Sequence, residues 1–172
     1  MTQKKPALLC LNTGSSSVKF SLYAIDDHHP RLIFGGQIEG LLGQPRFKAC
    51  DHQGAVLEER HWDAPKRRAE AVELILDFVH KQAAGYRLQA VGHRVVLGGI
   101  EYPQSVVVDD QVLDVLDHYS PIVPSHQPAE IEAIRLLRQS HPDLFQVACF
   151  DSAFHRTKSE IADLYALPLS YR

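Results

Sequence analysis

Residues 7–25 have the sequence Ala-Leu-Leu-Cys-Leu-Asn-Thr-Gly-Ser-Ser-Ser-Val-Lys-Phe-Ser-Leu-Tyr-Ala-Ile. The apolar run 7–11 predicts a buried strand, and the alternation of apolar and polar residues over 18–24 predicts a second, half-buried strand. The polar residues between them predict a tight turn, in which Gly14 would supply backbone conformations that other residues resist. The stretch therefore predicts a β-hairpin around which the rest of the chain is organised.

The turn of this hairpin has the composition of an anion-binding loop. Glycine and serine present free backbone N–H groups and hydroxyls, which suit a phosphate group. The turn residues are Gly14, Ser15, Ser16 and Ser17. Lys19 adds a positive charge two residues into the second strand. The Walker A pattern is absent and no helix pattern follows, so an ordinary polar hairpin turn stays open as an alternative.

The composition is ordinary for a globular protein, with 45% hydrophobic and 23% charged residues among 172. A formal net charge of −3 argues against a nucleic-acid partner, which usually requires a basic face. No apolar run has the length of a membrane span. Cys10, Cys50 and Cys149 are widely spaced and form no C-x-x-C pair. This spacing indicates buried thiols in a reducing cytoplasm, without a disulfide frame or a zinc site.

After the hairpin, short strands separated by glycine turns, such as Gly35-Gly36, precede alternating helices and strands. Helices are predicted to open at Asp63 and Pro65, at Asp109, and at Pro128. The strands are predicted at 31–34, 46–50, 55–59, 89–97, 105–108 and 146–150. Antiparallel strands followed by this alternation predict a mixed α/β sheet covered by helices.

Three strands end in residues that carry chemistry. Asn12 follows the first strand, His93-Arg94 come late in the central one, and Asp151 follows the last. If these strands are parallel neighbours, an amide, a guanidinium and a carboxylate meet at one sheet edge, where ligands of α/β sheets bind. Three structural alternatives remain: Asn12 shapes the turn, Arg94 pairs with Asp151, or Asp151 caps a short helix. The histidines lack metal-ligand spacing.

Four stretches resemble signature blocks of the acetate kinase family, in the family's order. They are Leu-Asn-Thr-Gly-Ser-Ser-Ser-Val-Lys-Phe at 11–20, Gly-His-Arg-Val-Val-Leu-Gly-Gly at 92–99, Val-Pro-Ser-His-Gln-Pro-Ala at 123–129 and Phe-Asp-Ser-Ala-Phe-His at 150–155. The resemblance implies a carboxylate kinase that transfers the γ-phosphoryl group of ATP reversibly to acetate or a similar short-chain acid. It also implies the ribonuclease-H-like fold of sugar kinases, Hsp70 and actin, a mixed sheet with flanking helices. Residues 1–172 would form the first of two domains, and this first domain would be incomplete.

The resemblance assigns roles to six positions in these blocks. They are Asn12 with Mg²⁺ or Mn²⁺, Lys19 with ATP, Arg94 with the substrate carboxylate or acyl phosphate, Val96 in the pocket for the acid's alkyl group, His126 in the active site, and Asp151 as the catalytic aspartate. A carboxylate acceptor is already ionised near neutral pH. We therefore expect Asp151 to orient groups in the site, with no proton for it to remove.

Several positions depart from the family's pattern. The family usually has histidine, leucine and asparagine where this chain has Leu97, Ser125 and Gln127, respectively. Residues 156–159, which follow His155, also differ from the family's usual sequence. Because Leu97 and Ser125 adjoin Val96 and His126, the preferred acid size is open. A family member is more than twice as long, forms a homodimer, and carries a C-terminal nucleotide-binding domain with a further arginine and a metal-binding glutamate. The alternatives are a non-catalytic truncated module that binds an anion or a partner, and a hydroxyl-directed kinase of the same superfold.

Overall fold

A computed structural model describes residues 4–26, 29–154, 159–163, 166–168 and 170. Within these ranges eight strands form one mixed sheet in the order β5-β4-β3-β2-β1-β6-β8-β7. The strands are β1 (Lys5–Thr13), β2 (Val18–Asp26), β3 (His29–Glu39), β4 (Arg46–Asp51), β5 (Val56–His61), β6 (Tyr86–Val95), β7 (Val106–Val107) and β8 (Phe145–Phe150).

Three longer helices pack on one face of this sheet. They are α1 (Arg68–Gln82), α2 (Asp110–Tyr119) and α3 (Gln127–Ser140), and two short helices follow, α4 (Asp151–Phe154) and α5 (Glu160–Asp163). Apolar residues of α1 and α3, among them Ile75 and Leu137, pack against Leu9 and Val91 of the sheet. The Asp109 carboxylate caps α2 as predicted, since it accepts from the Val112 N–H at 2.8 Å. None of the helices in the described ranges is long and apolar enough to cross a membrane.

The centre of the sheet is parallel. β1 pairs with β6 and β6 pairs with β8 in parallel, so the carboxyl ends of all three strands lie at one edge. β1 and β2 form the predicted antiparallel hairpin, with Asn12 opposite Lys19 and Thr13 opposite Val18. The structure thus confirms the mixed sheet and the adjacency of the three strands that carry the predicted site residues.

Two predicted boundaries are wrong. Gly35 and Gly36 do not form a turn but lie inside β3. A β-carbon on Gly36 would contact the Lys48 carbonyl and lie 2.8 Å from Ala49 Cα, so the glycine serves close strand approach. Helix α1 begins at Arg68, after the loop that contains the predicted start at 63–65.

The prediction of a wholly buried first strand with buried thiols is also wrong. In β1 only alternate residues such as Leu9 and Leu11 are buried, because the helices cover one face of the sheet. Cys10 points to the other face, hereafter the open face, and is exposed, as is Cys149. A continuous apolar run predicts burial on both faces, and here the covered face alone provides it.

Candidate active site

A cleft of about 620 Å³ lies on the open face, where β1, β6 and β8 end. Four of the predicted site residues line it: Asn12, Lys19, Arg94 and Asp151. Parallel pairing of β1, β6 and β8 brings Asn12, Arg94 and Asp151 to the same edge, and the antiparallel hairpin places Lys19 opposite Asn12. The structure therefore places an amide, two cations and a carboxylate in one cleft.

Arg94 joins the three strand ends. Its Nε lies 3.0 Å from Asp151 Oδ1, its Nη2 donates to Asp151 Oδ2, and its Nη1 lies 3.4 Å from Asn12 Oδ1. The hydrogen bonds that Arg94 donates to the Asp151 carboxylate raise the pKa of Arg94, so the guanidinium stays charged. The contact between Arg94 and Asp151 is the ion pair that the sequence left open as a structural role for Arg94. Both side chains are exposed, by 41% and 44%, and a pair so exposed to water contributes little to stability. It is free to exchange partners.

A buried carboxylate lies behind Arg94. Glu130 of α3 is only 2% exposed and its Oε1 lies 4.0 Å from Arg94 Nη1. Its Oε2 accepts from the Val96 N–H at 3.0 Å, and burial raises the pKa of Glu130. Sequence reasoning missed this residue. The available indication was a charged residue on the helix face that carries Ile131 and Ile134, both buried.

Gln127, one turn earlier on α3, is fully buried. Its side chain accepts from the Leu97 N–H at 3.3 Å and donates to the Leu97 carbonyl at 2.8 Å. A further hydrogen bond of 3.2 Å goes to the carbonyl of Leu116. The Gly98 N–H donates to Ser152 Oγ at 3.1 Å. The segment after β6 is therefore fixed through its backbone.

The hairpin turn is held by its carbonyl groups. The Gly14 N–H donates to the Ser17 carbonyl at 2.8 Å, and the Leu41 N–H donates to the Ser16 carbonyl at 3.0 Å. Nη2 of Arg68, which pairs with a glutamate of α3, lies 3.3 Å from the Ser15 carbonyl. With these carbonyls and the Gly14 N–H engaged by the protein, the turn can offer its remaining N–H groups, at 15–17, to an anion.

The prediction that Gly14 supplies a backbone conformation that other residues resist is wrong. Positive φ angles occur among the described glycines at Gly40, Gly54 and Gly99, and not at Gly14. A β-carbon at Gly14 would lie 3.4 Å from the Ser17 carbonyl oxygen, which is an ordinary contact. Other residue types could therefore adopt the φ angle that Gly14 has in this turn.

Several predicted residues do not line the cleft. The turn residues Gly14 to Ser17 adjoin it beyond Asn12, and Val96 is half-buried beside it. His126 is exposed directly before α3, where its carbonyl accepts from the Ala129 N–H at 3.0 Å. His155 lies outside the described residues.

The oxygen donors at this edge suit Mg²⁺ or Mn²⁺. The Asn12 amide oxygen and the Asp151 carboxylate both contact the same guanidinium, so they lie close together. Mg²⁺ typically binds one or two carboxylates, water and substrate phosphates, without a complete protein cage. Among the described residues, no group of three or more His, Cys, Asp or Glu side chains is placed to hold a metal ion.

The chain matches the model of the acetokinase family over residues 7–172. It is 40% identical to the acetate kinase of Rhizobium meliloti over 171 residues, which cover 96% of this chain and 42% of the relative. Among solved structures it is similar to a propionate kinase from Francisella tularensis subsp. tularensis SCHU S4 and to Porphyromonas gingivalis acetate kinase. Each has a TM-score of 0.81 and 31% identity, with 96% of this chain and 42% of that chain covered.

These similarities confirm the predicted fold, a ribonuclease-H-like mixed sheet with flanking helices. The chain spans about two fifths of the length of the relatives it matches.

Proposed function

Since this chain belongs to the acetokinase family, we propose that its protein is a carboxylate kinase. It transfers the γ-phosphoryl group of ATP reversibly to acetate or a similar short-chain acid, giving ADP and an acyl phosphate. The observation that carries the proposal is the position of Arg94, held between Asn12 and Asp151 where three parallel strands end.

Arg94 is the residue proposed to bind the carboxylate of the acid. A guanidinium can bind a carboxylate or phosphoryl group through two parallel hydrogen bonds, which lysine cannot imitate. In the free protein Asp151 occupies the edge formed by Nε and Nη2. The incoming carboxylate displaces Asp151 from this edge, so binding exchanges one ion pair for another. Asn12 and Glu130 contact the opposite nitrogen, Nη1, and keep the guanidinium in place during the exchange.

Phosphoryl transfer needs alignment and positive charge more than covalent help from the protein. Lys19 and the N–H groups of residues 15–17, in the turn that Gly14 opens, would contact the phosphates of ATP. His126, directly before α3, is assigned to the active site by the family resemblance alone. Asn12 and Asp151 would hold Mg²⁺ or Mn²⁺, which would neutralise charge on the phosphates when bound. Asp151 would orient groups in the site. It would not act as a base, because the acid has already lost its proton.

The family also supports proposals about the complete protein. Because the matched relatives are more than twice as long, we propose a second domain that completes the nucleotide pocket, and a homodimer of the complete protein. Free cysteines, two of them exposed, suit a reducing compartment, so we place the protein in the cytoplasm.

A phosphoryl-acceptor screen of the full-length protein tests the proposal. With Mg²⁺ and ATP, acetate, propionate and butyrate are compared with glycerol, simple alcohols and hexoses, and acyl phosphate is trapped with hydroxylamine. We expect ADP release that depends on the short acids, with formation of the hydroxamate. ADP release that depends only on a hydroxyl acceptor would replace the proposal with a hydroxyl-directed kinase. No acceptor-dependent release would favour a non-catalytic binding module.

A further inference from the structure

Two buried polar side chains of α3 end on the backbone beside the proposed acid site. Gln127 and Glu130 lie one helical turn apart, are 0% and 2% exposed, and face the sheet. Buried polar groups are costly unless hydrogen-bonded, so their partners strongly constrain their positions. Those partners include the main-chain groups of Val96 and Leu97, and Gln127 also donates to the Leu116 carbonyl. We call these two side chains the α3 clamp.

The clamp acts on the backbone as a neighbouring strand would. Gln127 engages both the N–H and the carbonyl of Leu97, which fixes the orientation of the peptide groups on both sides of that residue. Glu130 holds the preceding N–H, that of Val96. Because β6 ends at Val95, no strand ladder supports these groups. The clamp therefore replaces the sheet where the chain leaves it.

The buried polar contact between His93 and Gln146 has a different form. His93 lies 2.8 Å from the side chain of Gln146, so that pair joins two strands inside the sheet. The clamp instead connects a helix to a segment two residues from Arg94. Glu130 also lies 4.0 Å from the Arg94 guanidinium, so one side chain contacts the Val96 backbone and lies near the acid grip.

We propose that Gln127 and Glu130 are positioning residues that set which acid the enzyme accepts. They do so by fixing the distance between Arg94, the residue proposed to bind the carboxylate, and Val96, which the family resemblance assigns to the pocket for the alkyl group. The inference rests on the proposed function, because it assumes an acid held at Arg94. Loosening the clamp lets the 96–97 segment move, which weakens acid binding and relaxes the preference for chain length. The ATP side of the reaction is unaffected.

The test compares four single variants of the full-length protein. Gln127→Leu and Glu130→Leu remove the hydrogen bonds while preserving similar volume, and Glu130→Gln keeps an acceptor for the Val96 N–H. Gln139→Leu, at an exposed position of the same helix, is the matched control. For each variant, kcat and KM are measured for acetate, propionate, butyrate and ATP.

We expect each clamp Leu variant to raise the KM for its preferred acid by about tenfold, since small misplacements near a reacting group are expensive. The ratio of kcat/KM values between acids should also change, while the KM for ATP stays within about twofold of the control. Glu130→Gln should restore most of the acid affinity, because the bond to Val96 is kept. Folded Leu variants with the acid KM and acid preference of Gln139→Leu would overturn the proposal.

Amide hydrogen exchange separates the clamp from the proposed function. The Val96 amide should exchange faster in Glu130→Leu and the Leu97 amide faster in Gln127→Leu. The Gly98 amide, which bonds to Ser152, serves as the internal reference. Unchanged exchange at Val96 and Leu97 would overturn the clamp even in an active enzyme. Faster exchange in a protein that phosphorylates no acid would reject the proposed function and the specificity role, while leaving the structural clamp established.

Discussion

His93 and Arg94 are neighbours on β6 and lie on opposite faces of the sheet. His93, beneath the helices, is 2% exposed, and burial lowers its pKa to about 4. Arg94, on the open face, exposes 41% of its side chain, and the Asp151 carboxylate raises its pKa. One strand thus presents a neutral polar group to the core and a permanent cation to the cleft. The covered face therefore supports the fold, and the open face holds the residues proposed for the chemistry.

The largest expected effect concerns the cleft of the open face when residues 1–172 are purified without the rest of the protein. We expect purified residues 1–172 to turn over ATP slower than the full-length protein by several orders of magnitude. The cleft aligns one end of the reaction, and alignment of both ends accounts for about 7–11 kcal/mol of such a barrier. The measurement is ATP-dependent acyl phosphate formation by both proteins at equal concentration. Activity within tenfold of the full-length protein would show that these residues hold a complete site.

The next largest effect is expected at Arg94. In the full-length protein, Arg94→Ala should raise the KM for the acid and lower kcat, because the same group grips the acid and the transferring phosphoryl. The combined loss should be about 2–4 kcal/mol, or roughly 30- to 1000-fold in kcat/KM.

Arg87→Ala is the matched control, because Arg87 is an exposed arginine on the same strand. Its kinetics should equal those of the wild type. A folded Arg94→Ala variant with wild-type kinetics would leave Arg94 as half of a structural ion pair.

The covered face gives a prediction about pH. Because the pKa of His93 falls from 6.5 to about 4 on folding, the unfolded chain binds more protons between these values. Stability supplied by neutral His93 is complete above pH 6.5 and is lost as the pH falls towards 4. The loss amounts to about 3 kcal/mol at most.

The measurement is the unfolding free energy of residues 1–172 in urea at pH 7 and at pH 4.5. His93→Gln should show a smaller loss than the wild type, while His80→Gln, at an exposed position of α1, should behave as the wild type. The variants are needed because Glu130, with a raised pKa, shifts stability in the opposite direction. Parallel pH profiles for wild type and His93→Gln would contradict the assigned burial effect.

The sequence predicted the open face better than the covered one. Asn12, Arg94 and Asp151 lie at or just beyond the carboxyl ends of strands, and the sequence placed them together on the condition that these strands are parallel neighbours, which the structure shows. Glu130 and Gln127 were not assigned a role because their partners are backbone groups about 30 residues away. Side-chain spacing within a helix carries no information about such partners.

The wrong predictions share a physical cause. The run around Cys10 indicates burial by its hydrophobicity, but which faces are covered depends on where the helices pack. Gly36 was assigned to a turn, and its actual role depends on how closely β4 approaches β3. Both are tertiary effects, and they override the local preference.

The smallest expected effect separates two roles of Asp151. If this carboxylate only orients Arg94 and the metal, Asp151→Asn keeps an oxygen acceptor and loses one charge-assisted contact. We expect Asp151→Asn to lose about tenfold in kcat/KM and Asp151→Ala to lose more, with Asp143→Asn, at an exposed position, as the control. The pH profile at saturating Mg²⁺ should show no carboxylate titration, because the acid has no proton to give. Equal and near-total loss in both Asp151 variants, together with a solvent isotope effect on the chemical step, would establish a general base. The open face would then supply proton transfer as well as alignment, and a hydroxyl acceptor would become the better substrate class.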